Sequence, residues 1–193
     1  MSLRYVRKVY KTYLRKRPKS IDDMLKQYGN AQIREIEICR TPLSNIAGMA
    51  ITLGSMGRLT ELQKKGLYDK LFHLSMDIHL DNGVVLGIEK NQRPKISFGG
   101  FKKKDDTECK AVNGLDIKLS DLIEKGEKNN KNFWRYTFRD NCQKFINDMI
   151  TKNNIHHLSK FIVQDIDQIL LDKDVRKGSK YVIDAATLIG IEI

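Results

Sequence analysis

Cys142 and His73 are the residues of this 193-residue chain whose types and settings suit covalent chemistry. Asn141 is placed to cap a helix on which Phe145, Ile146, Met149 and Ile150 recur at the spacing of one face. Cys142 opens that helix one turn before Phe145 and Ile146, on the side to be buried. A thiol there feels the positive end of the helix dipole and the free amide hydrogens, and both favour the thiolate. His73 lies far upstream in the extended segment Leu71-Phe72-His73-Leu74. A helix-start cysteine and a strand-borne imidazole are the minimal parts of a nucleophile with its base.

A hairpin must position that imidazole. Phe72, Leu74, Met76, Ile78 and Leu80 alternate with His73, Ser75, Asp77 and His79, which is the period of a strand. Asp81-Asn82-Gly83 supplies the turn, and Val84, Leu86 and Ile88 continue the apolar face. A three-residue loop with Gly83 in the left-handed region pairs Leu80 with Val84. Ser75 then faces Glu89, and His73 faces Asn91. Glu89 is a diagonal neighbour of His73 and Asn91 a direct one, so either could orient the imidazole. The blander reading is an amphipathic hairpin with a solvated polar face. His79, near the turn, is assigned to solvent, as are His156 and His157.

Composition sets the frame. Hydrophobic content of 40% and charged content of 31% fit a globular chain with a core, and no apolar run reaches membrane-spanning length. The basic N-terminus lacks the apolar stretch of a secretory signal, so export is not expected. Cys39, Cys109 and Cys142 are odd in number and widely spaced, which reads as no disulfide framework and a reducing compartment. They and the histidines lack ligand-like spacing, so neither metal nor cofactor is expected.

The net charge of +11 is concentrated in residues 1–19, where Arg4, Arg7, Lys8, Lys11, Arg15, Lys16, Arg17 and Lys19 stand with no acid. This divides the chain into a basic arm, 1–19, and a folded domain, 20–193. The arm suits an acidic protein such as a capsid component, an anionic membrane surface or nucleic acid.

Ser20 is the expected cap of a helix from Ile21 to Tyr28 that Gly29 stops, and Ile33 to Cys39 alternates as a strand. Thr41-Pro42 reads as the cap and first residue of a helix running to about Leu53. Pro94 to Phe98 is a short extended piece, and Cys109 an ordinary small residue at a strand edge. Ser120 caps a helix ending near Gly126, and Phe133 to Phe138 reads as an aromatic strand delivering the chain to Cys142. Ser159 caps a further helix, and Tyr181 to Ile189 forms a last short one.

The order of a histidine strand followed by an Asn-Cys helix resembles circularly permuted papain-like proteins. These include the NlpC-like and lecithin:retinol acyltransferase-like hydrolases and the permuted deubiquitinase-like peptidases. More closely, several segments resemble a group found in large DNA viruses and related mobile elements. They are Tyr28-Gly29-Asn30, Arg40-Thr41-Pro42-Leu43, Tyr68-Asp69-Lys70-Leu71-Phe72-His73-Leu74, Ile88-Glu89-Lys90-Asn91, Asp140-Asn141-Cys142-Gln143-Lys144-Phe145-Ile146 and Phe161-Ile162-Val163-Gln164-Asp165. The resemblance implies an α+β fold with a small antiparallel sheet packed on the helix that begins at Cys142. It implies Cys142 as nucleophile, His73 as base and Glu89 or Asn91 as orienting group. The Cys142 amide would be one oxyanion donor, with Gln143 beside it.

The expectation is therefore a thiol-dependent hydrolase or acyl-transfer enzyme, viral in kind, acting on an amide or ester of a protein or lipid in the host cytoplasm or virion. The alternative is a non-catalytic minor virion component that uses its arm to hold capsid, membrane or nucleic acid.

Overall fold

The computed structural model describes residues 16–42, 64, 72–91, 93–136, 140–155 and 158–163. Among them the chain is α+β, with one five-stranded antiparallel sheet and four helices. In chain order these are α1 (Lys19–Tyr28), β1 (Ile33–Pro42), β2 (Phe72–Leu80), β3 (Val85–Lys90), β4 (Pro94–Phe98), β5 (Glu108–Asn113), α2 (Leu119–Glu127), α3 (Cys142–Thr151) and α4 (Ser159–Ile162).

The strand order across the sheet is β4-β3-β2-β1-β5. The hairpin has the register that side-chain parity and turn chemistry require. Leu80 N–H donates to the Val84 carbonyl at 2.9 Å, Gly83 takes φ +82°, and Ser75 lies opposite Glu89. A one-residue slip would move every side chain to the wrong face.

One face of the sheet is the core. Ile36, Ile38, Leu74, Met76, Ile78, Leu80, Leu86 and Ile88 are buried there with Ile21 and Met24 of α1, Leu119, Leu122 and Ile123 of α2, and Phe145, Ile146, Met149 and Ile150 of α3. Each such side chain, fully buried, contributes about 1.5–3 kcal/mol. Helices α2 and α3 approach closely at Gly126, where a β-carbon would stand 2.7 Å from Met149 Cγ.

The opposite face is crossed by residues 99–107, which must carry the chain from β4 at one edge to β5 at the other. Phe101 N–H donates to Asp77 Oδ1 at 3.1 Å, and its ring lies on Gly87, where a β-carbon would clash at 2.7 Å. Lys103 then pairs with Glu37, and the Thr107 and Thr41 hydroxyls meet at 2.9 Å.

Several expectations are corrected. Thr41 and Pro42 do not begin a helix; they complete β1 opposite His73 and Phe72, so the ladder overrides the local Thr-Pro signal. Helix α1 begins at Lys19 after Pro18, and α2 after Lys118, so neither Ser20 nor Ser120 is a cap. Ser159 is likewise the first helical residue of α4, after Leu158. Phe133 and Trp134 lie in turns closed by Phe133 N–H to the Asn130 carbonyl and Arg135 N–H to the Asn132 carbonyl, not in a strand. Both are buried, stacked edge to face at 4.7 Å, which the alternation of a strand would forbid.

Cys39 and Cys109 are joined in a disulfide across the β1–β5 ladder, so they are neither unpaired nor ordinary small residues. The cysteine count therefore carries no inference about compartment. No described helix is long and apolar enough to cross a membrane. The expected helices over 43–53 and 181–189, as well as His156 and His157, lie outside the described residues.

Candidate active site

Helix α3 begins at Cys142 because Asn141, in extended conformation, accepts the Lys144 N–H on its side-chain oxygen at 3.0 Å. That bond satisfies one of the free donors of the first turn. The same helix buries Phe145, Ile146 and Met149 on the sheet, which brings its first turn to the start of β2.

The β2–β3 ladder stops there. Ser75 and Glu89 are its last pair, and one residue further along β2 the Leu74 N–H donates to the Cys142 sulfur. The sulfur thus lies beside the end of that ladder. This explains how a cysteine on the helix side reaches a histidine that alternates with the core residues. Cys142 is a free, buried cysteine and also accepts the Gln143 N–H.

His73 hydrogen-bonds the sulfur on one side. On the other, its Nε2 lies 3.0 Å from Glu89 Oε2, which leaves Nδ1 as the nitrogen for Cys142. Asn91 Nδ2 donates to Glu89 Oε1 at 3.1 Å. The four side chains thus form one line: Cys142, His73, Glu89, Asn91. Glu89 touches the imidazole, and Asn91 fixes Glu89 from behind.

Electrostatics favour moving the proton from the sulfur to the imidazole. Burial opposes a charged His73, but its bonds and charge attractions with Cys142 and Glu89 outweigh that and raise its pKa to about 10. Burial likewise pushes the Cys142 thiol up, yet the His73 bond and charge and the two amide donors bring it below its ordinary value. Both shifts favour a thiolate–imidazolium pair.

Three residues at the site were not singled out from sequence. Half-buried Tyr136 lies near enough that burial and the Cys142 charge together raise its phenol pKa. Asn132 Nδ2 donates to Asp140 Oδ2 at 3.1 Å, just before the helix. Lys90, fully buried, follows Glu89 directly. A signal for Lys90 was available: parity places it on the apolar face with Leu86 and Ile88. Gln143 is buried in the first turn beside the sulfur.

Of the basic arm, Lys16, Arg17 and Lys19 are described, and Arg4, Arg7, Lys8, Lys11 and Arg15 lie outside the described residues. Arg17 is bound to the domain. It pairs with Glu127 and with Asp22 at 3.6 Å, and its guanidinium stands 5.8 Å from the Trp134 ring centroid. Glu127 also accepts the Trp134 indole N–H at 2.6 Å.

Glu37, Cys39 and Cys109 place donor atoms within 4.8 Å of one another, but the disulfide removes the thiolates a metal would need. Comparison with family models, curated proteins and solved structures finds no match for this chain.

Proposed function

We propose that the protein is a cysteine-dependent hydrolase or acyl-transfer enzyme with the permuted papain-like arrangement of its catalytic groups. The observation that carries this reading is the buried line Cys142–His73–Glu89–Asn91, in which sulfur and imidazole share one hydrogen bond and a carboxylate holds the far nitrogen. A structural histidine has no need of a thiol beside it, and a structural thiol is not ordinarily lowered in pKa by three donors.

In the proposed reaction the Cys142 thiolate attacks the carbonyl carbon of an amide or ester. The backbone amide at the start of α3 and neighbouring Gln143 would donate to the carbonyl oxygen as its charge develops. The imidazolium of His73 gives its proton to the leaving nitrogen or oxygen as the carbon–heteroatom bond breaks, leaving an acyl thioester. Water then attacks the thioester and passes its proton to His73, and sulfur departs as thiolate. Glu89 stabilises the imidazolium and fixes its tautomer throughout. The basic segment 1–19 would bring an anionic partner to the same molecule.

The test is hydrolysis of a panel of aryl esters and peptide amides by wild type and by Cys142→Ala, with folding checked by circular dichroism. Turnover lost in the variant supports the reading. Turnover that survives removal of the thiol sinks it.

A further inference from the structure

We infer that Lys90 is a positioning residue of the Cys142 site: its buried ammonium fixes the turn at Asn132 and, through it, Asp140, and sets a positive charge behind the thiolate. This rests on the reading of Cys142 as a nucleophile.

Lys90 is the last residue of β3 and has no exposed surface. Its Nζ donates to the Asn132 carbonyl at 3.1 Å and stands 5.5 Å from the Phe145 ring centroid, against the first turn of α3. Asn132 in turn donates from its side chain to Asp140 at 3.1 Å. Asp140 precedes the Asn141 cap and Cys142. The hydrogen-bonded path therefore runs from the strand that carries Glu89 to the residue that leads into the nucleophile. The two halves of the site, strand and helix, are tied by Lys90 at a point that neither His73 nor Glu89 touches.

Burying an ammonium is costly unless it is paired, and a methionine would fill the same space without that cost. The charge therefore has to be accounted for by what surrounds it. Around it stand Asp140, Cys142 and Asp148, which favour its charge, and Lys144, which opposes it. Burial outweighs these and lowers its pKa to about 7, so the ammonium exchanges its proton in the range where the thiolate works. The influence is reciprocal, because a thiolate that favours the ammonium is favoured by it to the same extent.

The experiment is the alkylation of Cys142 by iodoacetamide from pH 5 to 9 in the full chain, followed by peptide mass spectrometry, in wild type and Lys90→Met. The expected result is a Cys142 inflection below the ordinary thiol range in wild type. In the variant it moves upward, with the rate at pH 6 falling about three- to tenfold relative to that at pH 9. If Lys90→Met is native by circular dichroism and its profile coincides with wild type, this inference is overturned while the nucleophile stands. If wild-type Cys142 has no depressed inflection, the nucleophile reading itself fails, and the inference falls with it. A second measurement does not depend on the variant's folding: the Lys90 ε-carbon is titrated by NMR in wild type and Cys142→Ala. Loss of the thiolate should lower the Lys90 midpoint, and equal midpoints overturn the coupling.

Discussion

Strand β2 carries two histidines on the same face, six residues apart, and each stands beside a carboxylate. His73 Nε2 is 3.0 Å from Glu89 in side chains only 18% and 15% exposed. His79 Nε2 is 3.6 Å from Glu35 in side chains 38% and 33% exposed. The first pair has a sulfur on the imidazole's other nitrogen, and the second has none among the described residues. A His–carboxylate pair at that exposure is a surface ion pair and contributes little. What distinguishes a site from a surface contact here is the third partner and the water excluded around it. Adjacency to a carboxylate, which parity and register can predict, is common to both.

The sharpest way to break this contrast is to remove each imidazole in turn. His73→Ala should slow alkylation of Cys142 at pH 7 about thirtyfold, since a thiol of ordinary pKa is only a few per cent ionised there. His79→Ala should leave that rate within about twofold. Equal effects, read by peptide mass spectrometry, would erase the distinction.

The pH dependence of stability tests the same pair without chemistry at sulfur. His73, raised to about 10, contributes stability that is full below 6.5 and lost as pH rises through about 10. Cys142, lowered, contributes stability that is full above its ordinary 9.0 and lost as pH falls toward its folded value. With Cys142 held as a thiolate in the fold from 6.5 upward, folded and unfolded pairs each hold one proton up to 9.0, and the two slopes cancel. The stability difference between wild type and the Cys142→Ala/His73→Ala double variant, from urea unfolding, should thus be flat across that window. It should fall on either side with a slope approaching about 1.4 kcal/mol per pH unit. A difference that is flat below 6.5 and above 9.0 as well would mean that folding moves neither pKa.

Smaller effects grade the orienting groups. Glu89→Gln should lower the His73 pKa by about one to two units, read from its ring-proton NMR titration. Asn91→Ala should shift it in the same direction by less than about one unit, because Asn91 acts only through Glu89. Glu35→Gln should change global stability by no more than about 0.5 kcal/mol.

The hairpin and the helix start were legible because each is fixed by local rules. The period of two and Asp81-Asn82-Gly83 determine the register that puts Glu89 near His73. Asn141 and the spacing of Phe145, Ile146 and Met149 determine where α3 begins. What could not be read depends on contacts distant in sequence. Thr41-Pro42 carries a helical signal locally, and only the partner strand from Phe72 onward reveals it as β1. Cys39 meets Cys109 because residues 99–107 cross the whole sheet, and no spacing rule encodes that. The choice between Glu89 and Asn91 required the side-chain geometry: both are near His73, but only Glu89 reaches its nitrogen.

The Cys39–Cys109 bond turns the chain into a closed ring with two tails. Seventy positions separate its ends, and closing a loop of that size removes about 4 kcal/mol of unfolded-state entropy in the chain-entropy account. His73, Glu89, Lys90 and Asn91 all ride on the ring, whereas Cys142 hangs from the C-terminal tail. A peptide-bond cut anywhere between Cys39 and Cys109 leaves a single covalent molecule until reductant is added. One cut between Cys109 and Cys142 leaves the nucleophile and its base on two covalently separate chains.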